Sequence, residues 1–128
     1  MNVNRLTDKA REALVEAQQE AGRREHTQVE PEHLLYALTR QQEGVVPQVL
    51  QRLGVTPRTL EVQLESALDT LPRAHGPTQV YASRELEGVL DRAEKEAATF
   101  KDEYTSAEHL LLAMTDAQTG RAAAALRQ

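Results

Sequence analysis

Ala10, Ala13, Leu14, Ala17 and Ala21 recur at three- and four-residue spacing, which is the stripe of an amphipathic helix. Thr7 stands where a hydroxyl can accept from the free N–H groups of that helix's first turn, Asp8 suits its positive end, and Gly22 marks its expected end. Pro31 then opens a second helix in the first-turn position that proline tolerates, with Leu34, Leu35 and Leu38 as its buried side. A third apolar segment runs from Val46 to Leu53 and stops at Gly54. Thr56-Pro57 restarts the chain as cap and first-turn proline, and Leu60, Leu64, Ala67, Leu68 and Leu71 make the stripe of a fourth helix. The stretch from Pro72 to Ala82 has two prolines, a glycine and no helical period, so it is expected to be a connector. Ser83 reopens helix: Leu86, Val89, Leu90, Ala93 and Ala97 repeat the first stripe, Ser106 is placed to cap a following helix, and a further short helix is expected after Gly120.

The chain writes one helix twice, as PEHLLYALT from Pro31 to Thr39 and AEHLLLAMT from Ala107 to Thr115. The register that sets His33 on His109 also sets Leu14 on Leu90, Ala17 on Ala93, Glu20 on Glu96, Ala37 on Ala113 and Gly44 on Gly120, and it lays cap on cap, Thr7 on Ser83. Agreement without a gap over about 40 positions signals a duplicated helical unit. The expectation is a single all-α domain of two pseudo-symmetric four-helix repeats, about 5–71 and 83–128, joined by the connector 72–82. The same register puts Arg52 on Gln128, so the second repeat lacks its last helix, and the intact protein is expected to continue past Gln128, the alternative being a natural chain with a truncated last helix.

Composition narrows the function. A length of 128 residues suits one compact unit, and an apolar share built from Leu, Ala and Val, with no Trp and one Phe, favours helices packed on helices. A net charge of −5 with acids and bases mixed along every segment argues against a nucleic-acid face, and no run reaches the length of a membrane span. No signal-type stretch opens the chain, so the cytoplasm is the expected location, and the absence of Cys removes disulfides and thiolate nucleophiles. The amphipathic stripes can be satisfied internally, which predicts a monomer.

The two EHLL repeats, the linker LPRAHGPTQVYAS, the segment LEGVLDRAEKEA and the run DEYTSAEHLLLAM resemble the Clp amino-terminal domain, the front module of the Clp unfoldases. Within that family they look most like the ClpB (disaggregase) type. The ClpC type has Gly-Thr before each Glu-His pair, where this chain has Glu30-Pro31 and Ser106-Ala107. The resemblance implies a module that engages unfolded or aggregated polypeptide, or a co-chaperone or adaptor, at the mouth of a homohexameric ATP-driven ring. Cofactors are expected to be none in this chain, with ATP and Mg belonging to later domains; none of its six glycines builds the G-x-x-x-x-G-K-[ST] phosphate cradle. The family's substrate-handling positions fall on Thr7, Asp102 and Glu108. Arg84 stands where ClpB-like sequences have Pro, and Lys101 where Gly precedes the Asp.

Exposed apolar groups distinguish an unfolded chain from a folded one, so a shallow apolar groove is the expected means of capture. Leu6, Val80, Tyr81, Tyr104 and Leu110 are candidates for its lining, with ordinary core the stronger expectation for Leu6 and Leu110. Glu32-His33 and Glu108-His109 raise metal or general-base chemistry, but adjacent helical residues diverge by about 100° and neither copy has the i, i+4 histidine pair of a zinc site. His33 and His109 are instead expected as equivalent, half-buried packing groups with one ring hydrogen bond each.

Overall fold

The computed structural model describes residues 5–73 and 80–116. Six helices dominate it: α1 (Asp8–Arg23), α2 (Pro31–Arg40), α3 (Val45–Arg52), α4 (Pro57–Leu68), α5 (Arg84–Thr99) and α6 (Ala107–Asp116). Two-residue strands β1 (Gln28–Val29) and β2 (Tyr81–Ala82) pair in parallel, Gln28 opposite Tyr81 and Val29 opposite Ala82. The fold is all-α, as the stripes predict. The expected short helix after Gly120, and with it the ending of the second repeat, lies outside the described residues.

The duplication is visible in bonds as well as in helices. Thr7 caps α1 by accepting from the Ala10 N–H at 3.2 Å, and Ser83 caps α5 by accepting from the Leu86 N–H at 3.1 Å. Each cap stabilises by roughly 1 kcal/mol. The same two residues tie the repeats together: the Thr7 N–H donates to the Thr105 carbonyl at 3.0 Å, and the Ser83 N–H donates to the Val29 carbonyl at 2.9 Å. Leu6 bridges to Thr105 much as Ala82 pairs with Val29. Each repeat therefore seats the start of its first helix on the strand-like residues before the other repeat's second helix.

The core follows the stripes. Ala10, Ala13, Ala17 and Ala21 of α1 are fully buried, as are Leu34, Leu35 and Leu38 of α2, Leu60, Leu64 and Leu68 of α4, and Leu86 of α5. Leu14 and Leu90 are half-buried at the edges of their helices. Small alanines let α1 lie close along α2, which α4 and α3 cover from other sides, so that every residue from Pro31 to Thr39 is buried. In the other repeat α6 packs on α5, and α3 reaches across to it.

Three local expectations need correction. α1 runs past Gly22 to Arg23, and the chain turns instead at Glu25, at φ 59°. Thr56 precedes α4 without a side-chain capping bond, Pro57 alone marking the start. The connector yields β2 at its end, a strand too short to show any period in sequence.

Candidate functional site

The residues singled out in sequence fall at two junctions between the repeats: Leu6 and Thr7 meet Thr105, beside Tyr104 and ahead of α6, while Val80 and Tyr81 lie where the connector ends and β2 pairs with β1. Thr7 has extended backbone and splits its hydrogen bonds between repeats: its hydroxyl serves α1 and its N–H serves Thr105. Asp102 lies five residues earlier than Ala107, the start of α6, and its carboxylate accepts from His109 Nε2 at 2.9 Å. Glu108 is exposed in the first turn of α6, the end of the helix dipole that favours negative charge. Thr7 and Asp102 are thus each tied to the approach to α6, Thr7 through Thr105 and Asp102 through His109, with Glu108 on the helix itself.

Leu6 and Leu110, candidates for a groove lining, are 1 % and 0 % exposed and belong to the core. Leu6 is drawn in because its backbone bridges to Thr105, and Leu110 because it lies on the inner face of α6. Val80 is half-buried against the core, and its carbonyl faces Gln18 Nε2 at 3.4 Å. Tyr81 and Tyr104 stand out at 69 % and 51 % exposed. Phe100 joins them at 61 %, its ring 6.4 Å from that of His109. Sequence reasoning missed Phe100, because it continues the spacing of Ala93 and Ala97 and so looks like core. The helix stops at Thr99, however, and Phe100 is its C-cap.

Both histidines occupy equivalent places, but each uses both ring nitrogens. His109 Nδ1 accepts from the Ser106 N–H at 2.9 Å, with the Ser106 hydroxyl also at 2.9 Å, while Nε2 donates to Asp102. His33 Nδ1 accepts from the Glu30 N–H at 2.8 Å, and its Nε2 stands 2.7 Å from His26 Nδ1. His33 is fully buried rather than half-buried. Desolvation first, and then the neighbouring His26, hold its pKa down at about 4.

Ser106, His109 and Asp102 look like a nucleophile, base and orienter, but the geometry denies them that chemistry. A base facing Ser106 would need a free Nδ1 lone pair, and the Ser106 backbone N–H already occupies it. A small hydrolase would also need its polar groups convergent in a pocket. A cleft of about 520 Å³ lies between α1 and α2, lined by Lys9, Glu12, Glu16, Arg23 and Arg40 among others, and neither Glu-His pair is part of its lining. Among the described residues no three His, Asp or Glu side chains converge as a metal site, and no helix is long and apolar enough to cross a membrane.

The described residues thus form tandem helical repeats joined through the backbone at their first-helix caps, with an exposed tyrosine next to each junction. Residues 5–128 match the Clp repeat N-terminal domain, and the chain belongs to that family. It is 38 % identical over 120 residues to the chaperone protein ClpB of Nitratidesulfovibrio vulgaris, covering 91 % of this chain and 14 % of the relative. It is 41 % identical over 112 residues to the chaperone protein ClpB 1 of Parasynechococcus marenigrum, covering 87 % and 13 %. The chain therefore spans only about one seventh of these relatives. In structure it superposes on the N-terminal domain of the ClpV1 ATPase from E. coli with a TM-score of 0.82 at 27 % identity, covering 89 % of this chain and 69 % of the other. The Hsp104 N-terminal domain from Candida albicans shares the fold with a TM-score of 0.85 at 24 % identity, covering 95 % and 79 %.

Proposed function

We propose that this chain is the substrate-recognition front module of a ClpB-type ATP-dependent disaggregase, binding unfolded or aggregated polypeptide weakly and with little sequence preference. One observation carries the proposal: Tyr81 and Tyr104, the former in β2 and the latter next to Thr105, hold exposed aromatic faces beside the two backbone exchanges that join the repeats. Tyrosine offers a broad apolar face with a polar tip and little entropy to lose, which suits a tolerant contact. Thr7, Asp102 and Glu108 supply polar groups at the junction that carries Tyr104, and Val80 precedes Tyr81 at the other.

Weak binding fits the geometry. The aromatics are few and separated, so the apolar area they can cover is small, while an extended client loses chain freedom on docking. A module that released slowly would compete with the motor it feeds. The hydrolysis of ATP with Mg, assembly into a homohexamer and a cytoplasmic setting belong in this proposal to the full-length protein, and catalysis has no place in the chain itself.

Immobilised chain presented with a permanently unfolded model protein tests the proposal. Retention, weakened when Thr7, Asp102 or Glu108 is changed singly to Ala without loss of fold, supports it. Retention only of a folded adaptor would favour instead the docking domain of a ClpC- or ClpA-type protease partner.

A further inference from the structure

The two repeats close their equivalent loops with different chemistry. In the second, His109 meets a carboxylate, Asp102. In the first, the position matching Asp102 is His26, so His33 meets a second imidazole. The hydrogen atoms of the first latch are dictated in order. The Glu30 N–H occupies His33 Nδ1, which leaves the His33 proton on Nε2. That proton points at His26 Nδ1, which must be the acceptor, and the His26 proton sits on Nε2. His26 Nε2 is buried toward the Leu68 backbone without a hydrogen bond of good geometry.

A proton added anywhere in this chain of donors puts two N–H groups face to face. On His26 Nδ1 it would oppose His33 Nε2–H; on His33 Nδ1 it would oppose the Glu30 N–H. In the second latch the Ser106 N–H faces His109 Nδ1 just as the Glu30 N–H faces His33, but there the Ser106 hydroxyl oxygen, also at 2.9 Å, can accept from a ring N–H at Nδ1, and a carboxylate rather than a second imidazole stands at Nε2. We propose that the His26–His33 pair is an acid-released latch on loop 24–30 of the first repeat, and that its opening frees β1 from β2 and so loosens the strand bearing Tyr81, while the second repeat stays closed.

The surroundings agree. Burial, and then the charges of Arg24 and Arg73, lower the His26 pKa; Glu20 opposes them but is committed to Arg23 and Arg24 at 2.7 and 2.6 Å, and Asp69 is held by Arg24 at 2.9 Å. Neither Glu20 nor Asp69 therefore stands ready to receive a charged His26 as Asp102 receives His109. Loop 24–30 connects directly to the seam, since Val29 carries the carbonyl that accepts from Ser83.

Hydrogen exchange on the wild-type chain at pH 7 and pH 5, corrected for intrinsic rates, tests the latch through two matched pairs of amides. Freeing His33 from a pKa of about 4 to the ordinary 6.5 should raise the open population about 20-fold between these pH values. Protection at Glu30 and Ser83 should fall by that factor while protection at their counterparts Ser106 and Thr7 does not. His26→Asp, which copies the second latch beside Arg24 and Arg73, should abolish the difference. Parallel loss at all four amides, or at none, would overturn the proposal.

Discussion

Asp102 accepts its 2.9 Å hydrogen bond from His109, a residue of its own repeat, so the side chain is held by the fold itself. The bond closes the loop 101–106, which presents Tyr104 to solvent. Two roles for Asp102 can then be separated. Asp102→Asn keeps an acceptor for His109 Nε2 but removes the charge, whereas Asp102→Ala removes both. If Asp102 acts by positioning the loop, capture of unfolded chain should survive in the Asn variant and weaken several-fold in the Ala variant, as measured by retention on immobilised chain. Equal loss in both would mean that the charge itself is used.

Lys101 sits at φ 59°, the left-handed region where a side chain costs about 1 kcal/mol or more, and Glu25 sits at the same angle in the other repeat. Lys101→Gly should therefore stabilise the chain by about 0.5–1 kcal/mol, after the added freedom of glycine in the unfolded state is set against the relief of strain. Glu25→Gly should act in the same direction. Thermal denaturation would show each as an upward shift in Tm of a few degrees.

Stability should fall as the solution is acidified, before most carboxylates titrate. The pKa of His33 is depressed in the fold to about 4, so below 6.5 the unfolded chain takes up a proton that the folded chain refuses. The folded state is thus fully favoured above about pH 6.5 and loses ground as pH drops toward 4. Between pH 7 and pH 5 the loss should be about 2 kcal/mol, read from urea midpoints at constant slope.

Leu6 and Leu110 lie in the core, so truncating either should destabilise by about 2–5 kcal/mol. Denaturant titration should register the change in full. Any fall in client capture should disappear once the fraction still folded is taken into account.

Much of the fold was legible because duplication doubled every signal. Thr7 and Ser83 each read as a cap and each is one, and the stripes from Ala10 to Ala21 and Leu86 to Ala97 are the buried faces of α1 and α5. Boundaries were less legible: Gly22 looked like a stop, but the left-handed residue is Glu25, a type that gives no sequence warning. The site was legible only in outline. Whether Leu110 or Tyr104 faces outward depends on the path of a loop, and Phe100 is exposed by the single residue at which α5 ends. The substitution that distinguishes the latches, His26 against Asp102, is plain in sequence once aligned, but its meaning rests on a 2.7 Å approach between rings that no spacing reveals.

Titration of a permanently unfolded, fluorescently labelled polypeptide with the wild-type chain and with the double variant Tyr81→Ala, Tyr104→Ala tests the central claim most directly. Both tyrosines are exposed, so the variant should keep its denaturation midpoint within about 0.5 kcal/mol of wild type. The account predicts weak, saturable binding to the wild type and at least a tenfold loss in the variant. Undiminished binding by the variant, or no binding of unfolded polypeptide by the wild type, would contradict it.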